Sequence, residues 1–506
     1  MAESTDLRRW LSSGAAAVKR ARGRLDSINV FPVPDSDTGT NLYLTLQEGN
    51  RAVAKLPETA THREVVAAFT RGALLGARGN SGVIVSQYLT SFLSSLDSHG
   101  GLTGAKSKAI AAALEEAASS AYQAVGSPVE GTILTVARCA AEGARSAADS
   151  GASRDATVIE AVVAARAALV RTHDELPHAK EAGVVDAGAA GLVLQLEMLA
   201  ETMAGESALA DFEEVPWELS DHDLKVTAHD VHDHHGGAYE VMFVAQDTED
   251  IREALTGELQ TLGDSVAVTG AHHLWQAHVH TDVPAQAVEH GIATHAHQII
   301  VRNISVAHDA DRSSTGVVAL TTCPGLAEPL ADAGAVVLVV PEPSGLSKRA
   351  LKRAVKDASG ASAVVVAGHP HLKAVALDLA HRNGKKTPQL TVVEASHEAH
   401  VVSAIAAAAV VTPGQDLAQE MAAAVARTSV GGASADALDA DVDAMITPDA
   451  EVVSLILAAG VPEAVTEVVK TSVPAAAPYA DIHVYRGGHH APAVLIGVER
   501  GASDAS

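Results

Sequence analysis

Cysteine is nearly missing from this chain: Cys139 and Cys323 are the two it has, too far apart in sequence to make a disulfide framework. That usage fits a reducing cytosol, and the expected location is cytoplasmic. Aromatic residues make up only 3% of the chain. Cores must then be built from small, closely approaching helices and Val-rich strands. Positive charge is also short, since 36 Lys and Arg face 62 Asp and Glu for a formal net charge of -26. A surface of that sign repels polyanions at long range, which excludes a general nucleic-acid or anionic-membrane binder. An anionic ligand would have to be held by metal ions, backbone N–H groups or a few local cations. No run of 18 or more purely apolar residues occurs, so no membrane-spanning helix is expected. The start Met1-Ala2-Glu3-Ser4-Thr5-Asp6 has no basic-then-apolar signal. A Walker A motif and the His-Arg-Asp and Asp-Phe-Gly set of protein kinases are lacking as well.

What is present is globular. Hydrophobic residues make up 47% and charged residues 19% of 506 positions, a length that suggests about three domains. Residues 6 to about 203 read as eight helices: Leu7–Asp26, Asn41–Ala54, His62–Leu75, Val83–Leu96, Ala105–Val125, Ile133–Ser150, Asp155–His173 and Ala189–Met203. The first domain, 1–203, is expected to be all-α. Residues 204–238 form an acidic, His-rich linker by composition. Residues 239–306 alternate as β-α-β-β-α-β, the ferredoxin-like order. From 312 to 506, Val-rich strands alternate with helices, which predicts an α/β domain with a mostly parallel sheet. In its tail, 452–459 is read as a helix.

The chemistry gathers in the first domain. Asp35 and Asp37 sit one residue apart in a loop stiffened by Pro32 and Pro34. Thr38-Gly39-Thr40-Asn41 then opens a helix whose free N–H groups favour phosphate. Carboxylates are poor direct partners of a triphosphate but good ligands for Mg²⁺, which can bridge them to it. Alone, an Asp-x-Asp is more often a turn and a cap. A second feature, Gly76-Ala77-Arg78-Gly79-Asn80-Ser81-Gly82, has glycines at three-residue spacing that permit positive φ and close approach to an anion. Asn80 and Ser81 add donors, and Arg78 adds a local cation. Glu130-Gly131-Thr132 and Gly183-Val184-Val185-Asp186-Ala187-Gly188 follow, each by itself an ordinary capped helix start.

In this order and spacing, the four segments resemble the ATP-binding L-type domain of the dihydroxyacetone kinase family. The resemblance is closest to its three-domain members that serve as the ATP-binding subunit of bacterial fatty acid kinase. It implies a barrel of eight antiparallel helices with ATP at one end. It also implies two Mg²⁺ on Asp35 and Asp37 with Asn29 nearby. Phosphates would meet Thr38, Asn41, Gly79, Asn80 and Ser81, and the nucleoside would lie near Thr132, Asp186 and Gly188. One departure is Ser36, where the family usually has Gly. A positive φ there would cost roughly 1 kcal/mol or more.

In the middle domain, strand alternation places His278 and His280 on one face, which suits a polar strand end and a metal-ligand pair equally. The resemblance implies Zn²⁺ bound by this pair and a cysteine, but the aligned position here is Glu240. The C-terminal domain resembles the family by layout, as a DegV-like domain, while its strand-end loops carry different residues. The implied function is ATP- and Mg²⁺-dependent phosphorylation of a fatty acid carboxylate held by a separate DegV-like lipid-binding protein. Alternatives are a glycerone-type kinase with another acceptor, or a nucleotide-binding regulator with reduced catalysis. A homodimer is the expected assembly for this layout.

Overall fold

The computed structural model describes residues 2–210, 212, 214, 217, 237–271, 273–296, 298–304, 306, 315–358, 361–383, 388–412, 414–436, 438–447 and 449–500. The expected linker at 204–238, with its His232, His234 and His235, lies largely outside the described residues. The chain divides into two compact units: residues 1–237 with 244–280, and residues 238–243 with 281–506. Among the described residues, no helix is long and apolar enough to cross a membrane.

The first unit opens with ten helical segments. They are α1 (Ala2–Ser27), α2 (Thr38–Val53), α3 (His62–Gly76), α4 (Gly79–Ser98) and the single turn α5 (Gly101–Gly104). Then come α6 (Ser107–Gln123), α7 (Ile133–Asp149), α8 (Arg154–Glu175), the short α9 (Pro177–Ala182) and α10 (Ala187–Ala204). Local signals set several starts. Thr61 and Glu64 form a reciprocal capping box at α3, and the Ser153 hydroxyl accepts from Ala156 N at α8. The long helices pack in succession: α1 on α2, α2 on α3, α3 on α4, α4 on α6, α6 on α7, α7 on α8, and α8 on α10, which returns to α1. Small residues make these approaches possible. The face of Gly49 lies against the Phe69 ring, and Gly143 against Ala164 and the Glu160 carbonyl, with no room for a Cβ at either glycine. The few aromatics serve as anchors. Trp10 meets Phe92 edge-on at 5.6 Å between ring centroids and donates its indole N–H to the Gln195 carbonyl at 3.1 Å.

The same unit holds α11 (Arg252–Gln260), β2 (Gly263–Ala271) and most of β3 (Leu274–Thr281), in strand order β2-β3-β1 with the end of β1 (Tyr239–Gln246). Strand β2 follows on from the end of α6. Gly126 N donates to Val266 O at 2.8 Å and Val268 N to Ala124 O at 2.9 Å.

In the second unit the start of β1 pairs antiparallel with β4 (Ile299–Asn303), following α12 (Pro284–Ala293). The element order from β1 to β4 is thus β-α-β-β-α-β. Strand β4 pairs antiparallel with β6 (Val336–Val339). Parallel pairing then joins β6 to β5 (Thr315–Thr321), β5 to β7 (Ser362–Ala367) and β7 to β8 (Gln389–Val392). Helices α13 (Ala327–Asp332), α14 (Lys348–Ala358), α15 (Pro370–Asn383), α16 (Glu398–Ala409) and α17 (Leu417–Arg427) connect and cover these strands.

Two expectations need correction. The C-terminal region has a second sheet, β11-β10-β12-β9, in addition to the parallel one. It comprises β9 (Thr428–Ala433), β10 (Ala450–Leu457), β11 (Asp481–Arg486) and β12 (Val494–Arg500), with α18 (Leu438–Met445) and α19 (Glu463–Ala476) between. Only β10 and β11 are parallel, while β12 runs antiparallel to both β10 and β9. The segment read as a helix at 452–459 is mostly β10. A short apolar run cannot tell a buried strand from a buried helix by period. Here Val452, Val453 and Ile456 are β-branched and the run is flanked by partners on both edges, so the strand wins.

Candidate phosphate and metal site

The Pro-rich loop between α1 and α2 is held by its own side chains. Asn29, buried, donates its amide to Asp35 Oδ1 at 2.6 Å and accepts from Thr38 Oγ1 at 3.0 Å. Asp37, also buried, precedes α2 without capping it, and its Oδ1 accepts from Asn41 Nδ2 at 2.6 Å. Each carboxylate of the pair is therefore gripped by one asparagine amide, which fixes its orientation. Ser36 between them has φ 49, the left-handed region that Gly adopts without strain.

The expected phosphate-binding start of α2 is only partly available. Asp26, buried beneath it, accepts from Thr40 N at 2.9 Å and from Thr40 Oγ1 at 2.8 Å. Asn41 N already closes a helical turn on Asp37 O at 2.8 Å. Position 26 carried no signal in the sequence, because a carboxylate fourteen residues upstream meets the helix only through the fold.

The glycine turn comes to the same place. Thr38 Oγ1 lies 3.3 Å from Ser81 Oγ. Gly79 has φ 53, and a Cβ there would run into the Asn41 amide, so glycine is required twice over. Thr45, one turn beyond Asn41, accepts from Arg78 N at 3.2 Å and donates to Asn41 O at 2.7 Å. Arg78, expected as a cation for phosphate, is buried with Nη1 donating to Gly76 O at 3.1 Å. Its guanidinium supports the turn's backbone. Gln276 on β3 was not anticipated: its Nε2 reaches the Ala77 carbonyl at 3.2 Å in a buried contact.

The other two segments meet each other. Thr132 caps α7, its hydroxyl accepting from Leu134 N at 3.3 Å and donating to Val129 O at 2.7 Å. Asp186 caps α10 by accepting from Ala189 N at 2.7 Å, and it also takes a hydrogen bond from the Ile133 backbone. Burial pushes its carboxyl up to about 6, opposed by those two N–H groups. Gly188 leaves the space between Asp186 and Ile133 open. Gly191, one turn on, lies face to face with Leu42, which follows Asn41. Phe31 and His178 of α9 approach at 6.1 Å between rings.

The donors fit a hard cation. They are the two oriented carboxylates and the buried Asn80 Oδ1, which has no hydrogen-bond partner among the described residues. Oxygen sets of this kind suit Mg²⁺.

Glu240, His278 and His280 are all buried. The two histidine rings stand 4.8 Å apart on β3. Glu240 is ion-paired with Arg302, its register partner on β4. A carboxylate already matched to a guanidinium is a weaker offer to a soft-to-borderline metal, and zinc is not assigned here.

Comparison with known proteins agrees with the site's position in the chain. Residues 32–201 match the model of the DAK2 domain, so this part of the chain is a DAK2 domain. Residues 236–310 match the FakA-like middle domain of fatty acid kinase, which places that module directly after it. Uncharacterized proteins of Staphylococcus aureus strains USA300 and N315 are each 33% identical to this chain over 294 residues. The match covers 55% of this chain and 51% of each relative, so the chain spans about half the length of the curated relatives it matches. A solved structure of the dihydroxyacetone kinase from C. freundii in complex with AMP-PNP and Mg2+ aligns with TM-score 0.30 and 17% identity. That alignment covers 38% of this chain and 33% of the other, too slight to carry weight.

Proposed function

We propose that the α1–α2 loop, with the glycine turn before α4, forms a Mg²⁺-ATP centre for phosphoryl transfer. The observation that carries this reading is the paired grip of Asn29 on Asp35 and Asn41 on Asp37, beside the Thr38–Ser81 hydroxyl contact. Phosphoryl transfer asks a protein mainly for positioning and charge neutralisation. Bound Mg²⁺ would supply the neutralisation. Asp35 and Asp37 would hold two ions. Thr38, Ser81 and the N–H groups around Gly79 would orient phosphate oxygens, and Thr132, Asp186 and Gly188 would border the nucleoside.

The acceptor we propose is a fatty acid carboxylate presented by a separate DegV-like lipid-binding protein, giving an acyl phosphate. A carboxylate is already nucleophilic and needs no general base, in keeping with a site whose carboxylates are committed to metal. The FakA-like middle domain supports this acceptor over a hydroxyketone. The protein would act in the cytoplasm, as a homodimer.

The test incubates the full chain with ATP, Mg²⁺, a fatty acid and DegV-like carriers from the same genome, and with dihydroxyacetone in parallel. Acyl phosphate that forms only with a carrier and disappears in Asp37→Ala supports the proposal. Turnover of dihydroxyacetone alone would point to a glycerone-type kinase. ATP binding with no turnover on any acceptor would leave a nucleotide-binding regulator.

A further inference from the structure

The second unit contains a cavity of about 1180 Å³ far along the chain from the α1–α2 loop. It opens at the carboxyl ends of parallel strands: Thr322 follows β5, Pro341 follows β6 and His369 follows β7. The strand order β6-β5-β7-β8 means that the chain leaves β5 to one side for β6 and returns past it to β7. Thr322 and His369 thus flank the point where the winding reverses, the place where open α/β sheets take their ligands. The other wall comes from α12, through Glu289 and Ile292, and from the ends of β10 and β11, through Leu457 and Arg486.

The polar groups facing this cavity are incompletely matched. His489 is buried, and its Nε2 lies 2.9 Å from the Pro492 carbonyl. A carbonyl only accepts, so Nε2 carries the proton. Burial lowers the pKa of this imidazole, leaving it neutral with a lone pair on Nδ1. That Nδ1 is buried and has no partner among the described residues. It calls for a donor from a ligand. His369 has the opposite polarity: its Nδ1 accepts from His371 N at 3.1 Å, so the neutral ring offers Nε2–H. Arg486 is exposed, and among the described residues its side chain has no hydrogen bond or ion pair.

The walls are built to keep this arrangement. Gly325 N donates to Gly487 O at 3.0 Å, and the two segments approach so closely that no Cβ would fit at Gly325 beside the Arg486 carbonyl. Behind Thr322, the buried Glu398 carboxylate accepts from Thr322 N at 2.7 Å, Thr322 Oγ1 at 2.6 Å and Thr321 Oγ1 at 2.7 Å. Gly368 makes room for that carboxylate.

We propose that this cavity binds a small hydroxylated organic anion. Its hydroxyl would donate to His489 Nδ1, with Glu289 as a second acceptor, and its carboxylate or phosphate would face Arg486 and His369. A site that hydrogen-bonds a hydroxyl discriminates strongly against the analogue lacking it. Isothermal titration of the full chain with two pairs of probes tests this: glycerol 3-phosphate against propyl phosphate, and glycerate against butyrate. The hydroxylated member of at least one pair should bind at least tenfold more tightly. His489→Phe should erase that preference, and Arg486→Gln should weaken binding tenfold or more. Asp37→Ala should leave it unchanged, which separates this site from the proposed Mg²⁺-ATP centre. Thermal melts would establish that each variant is folded. No saturable heat with any of the four probes, a preference that survives in His489→Phe, or a preference lost in Asp37→Ala would overturn the proposal.

Discussion

Asn41 donates its amide to Asp37 across one turn of α2 at 2.6 Å, and Gly79 leaves room for that amide to lie where it does. The carboxylate is thus oriented before any ligand arrives. Residues that orient a metal ligand typically matter by 10–100-fold in affinity or activity. Asn41→Ala should therefore raise the Mg²⁺ concentration for half-maximal ATP turnover by about tenfold or more. Asn29→Ala should act in the same direction through Asp35. A Mg²⁺ titration of turnover checks both, and unchanged midpoints would mean the amides do not tune the carboxylates.

Ser36 stands at φ 49 between the two aspartates. The left-handed conformation costs a side-chain-bearing residue about 1–2 kcal/mol, and part of that is offset because Ser has fewer unfolded conformations than Gly. Ser36→Gly should then be more stable by about 0.5–1 kcal/mol. Ser36→Val, β-branched, should lose stability. Urea denaturation reads the difference, and a Gly variant weaker than the parent would show that the serine earns its place through its own contacts.

Much of the fold follows from local pattern. The helices around His62–Gly76 and Ile133–Asp149 have caps and apolar periods that mark them in one dimension. The Asp35–Asp37 loop was visible because its chemistry is packed into thirteen consecutive residues. The supporting groups were not. Asp26, Thr45 and Gln276 act on the site from 14, 33 and 199 positions away in sequence from the residues they hold. Nothing in their neighbourhoods distinguishes them from core or helix residues. Arg78 misled for the related reason that a cation beside a glycine turn serves phosphate or backbone equally well, and burial decided for backbone. Segment 450–457 misled because its strand character comes from β11 and β12, formed much later in the chain.

Gln276 gives the middle domain a direct hold on the glycine turn. Its Nε2 donates to the Ala77 carbonyl at 3.2 Å, two residues before Gly79. Gln276→Met keeps the length and loses the donor, which should cost about 1–2 kcal/mol of stability. The turn would also be less well held, so the KM for ATP should rise several-fold while kcat changes little. Steady-state kinetics with a saturating acceptor distinguishes this from a purely structural effect, which would lower the active fraction and leave KM alone.

Asp186 ties the starts of α7 and α10 together while fully buried, and burial pushes its carboxyl up to about 6. Between about pH 4 and 6 the folded chain keeps this proton and the unfolded chain has released it. Stability from this group must therefore fall as pH rises through that window, by about 3 kcal/mol if the whole shift is expressed. Above pH 6 the folded carboxylate is ionised and the loss is complete. Asp186→Asn retains an oxygen that can accept from Ala189 N and cannot ionise, so its stability curve should lack that descent. The variant should gain on the parent steadily from pH 4 to pH 6 and hold a constant advantage above. Denaturant midpoints collected at half-unit pH steps would show this, whereas curves that stay parallel across the window would mean that Asp186 ionises in the folded chain as readily as it does in water.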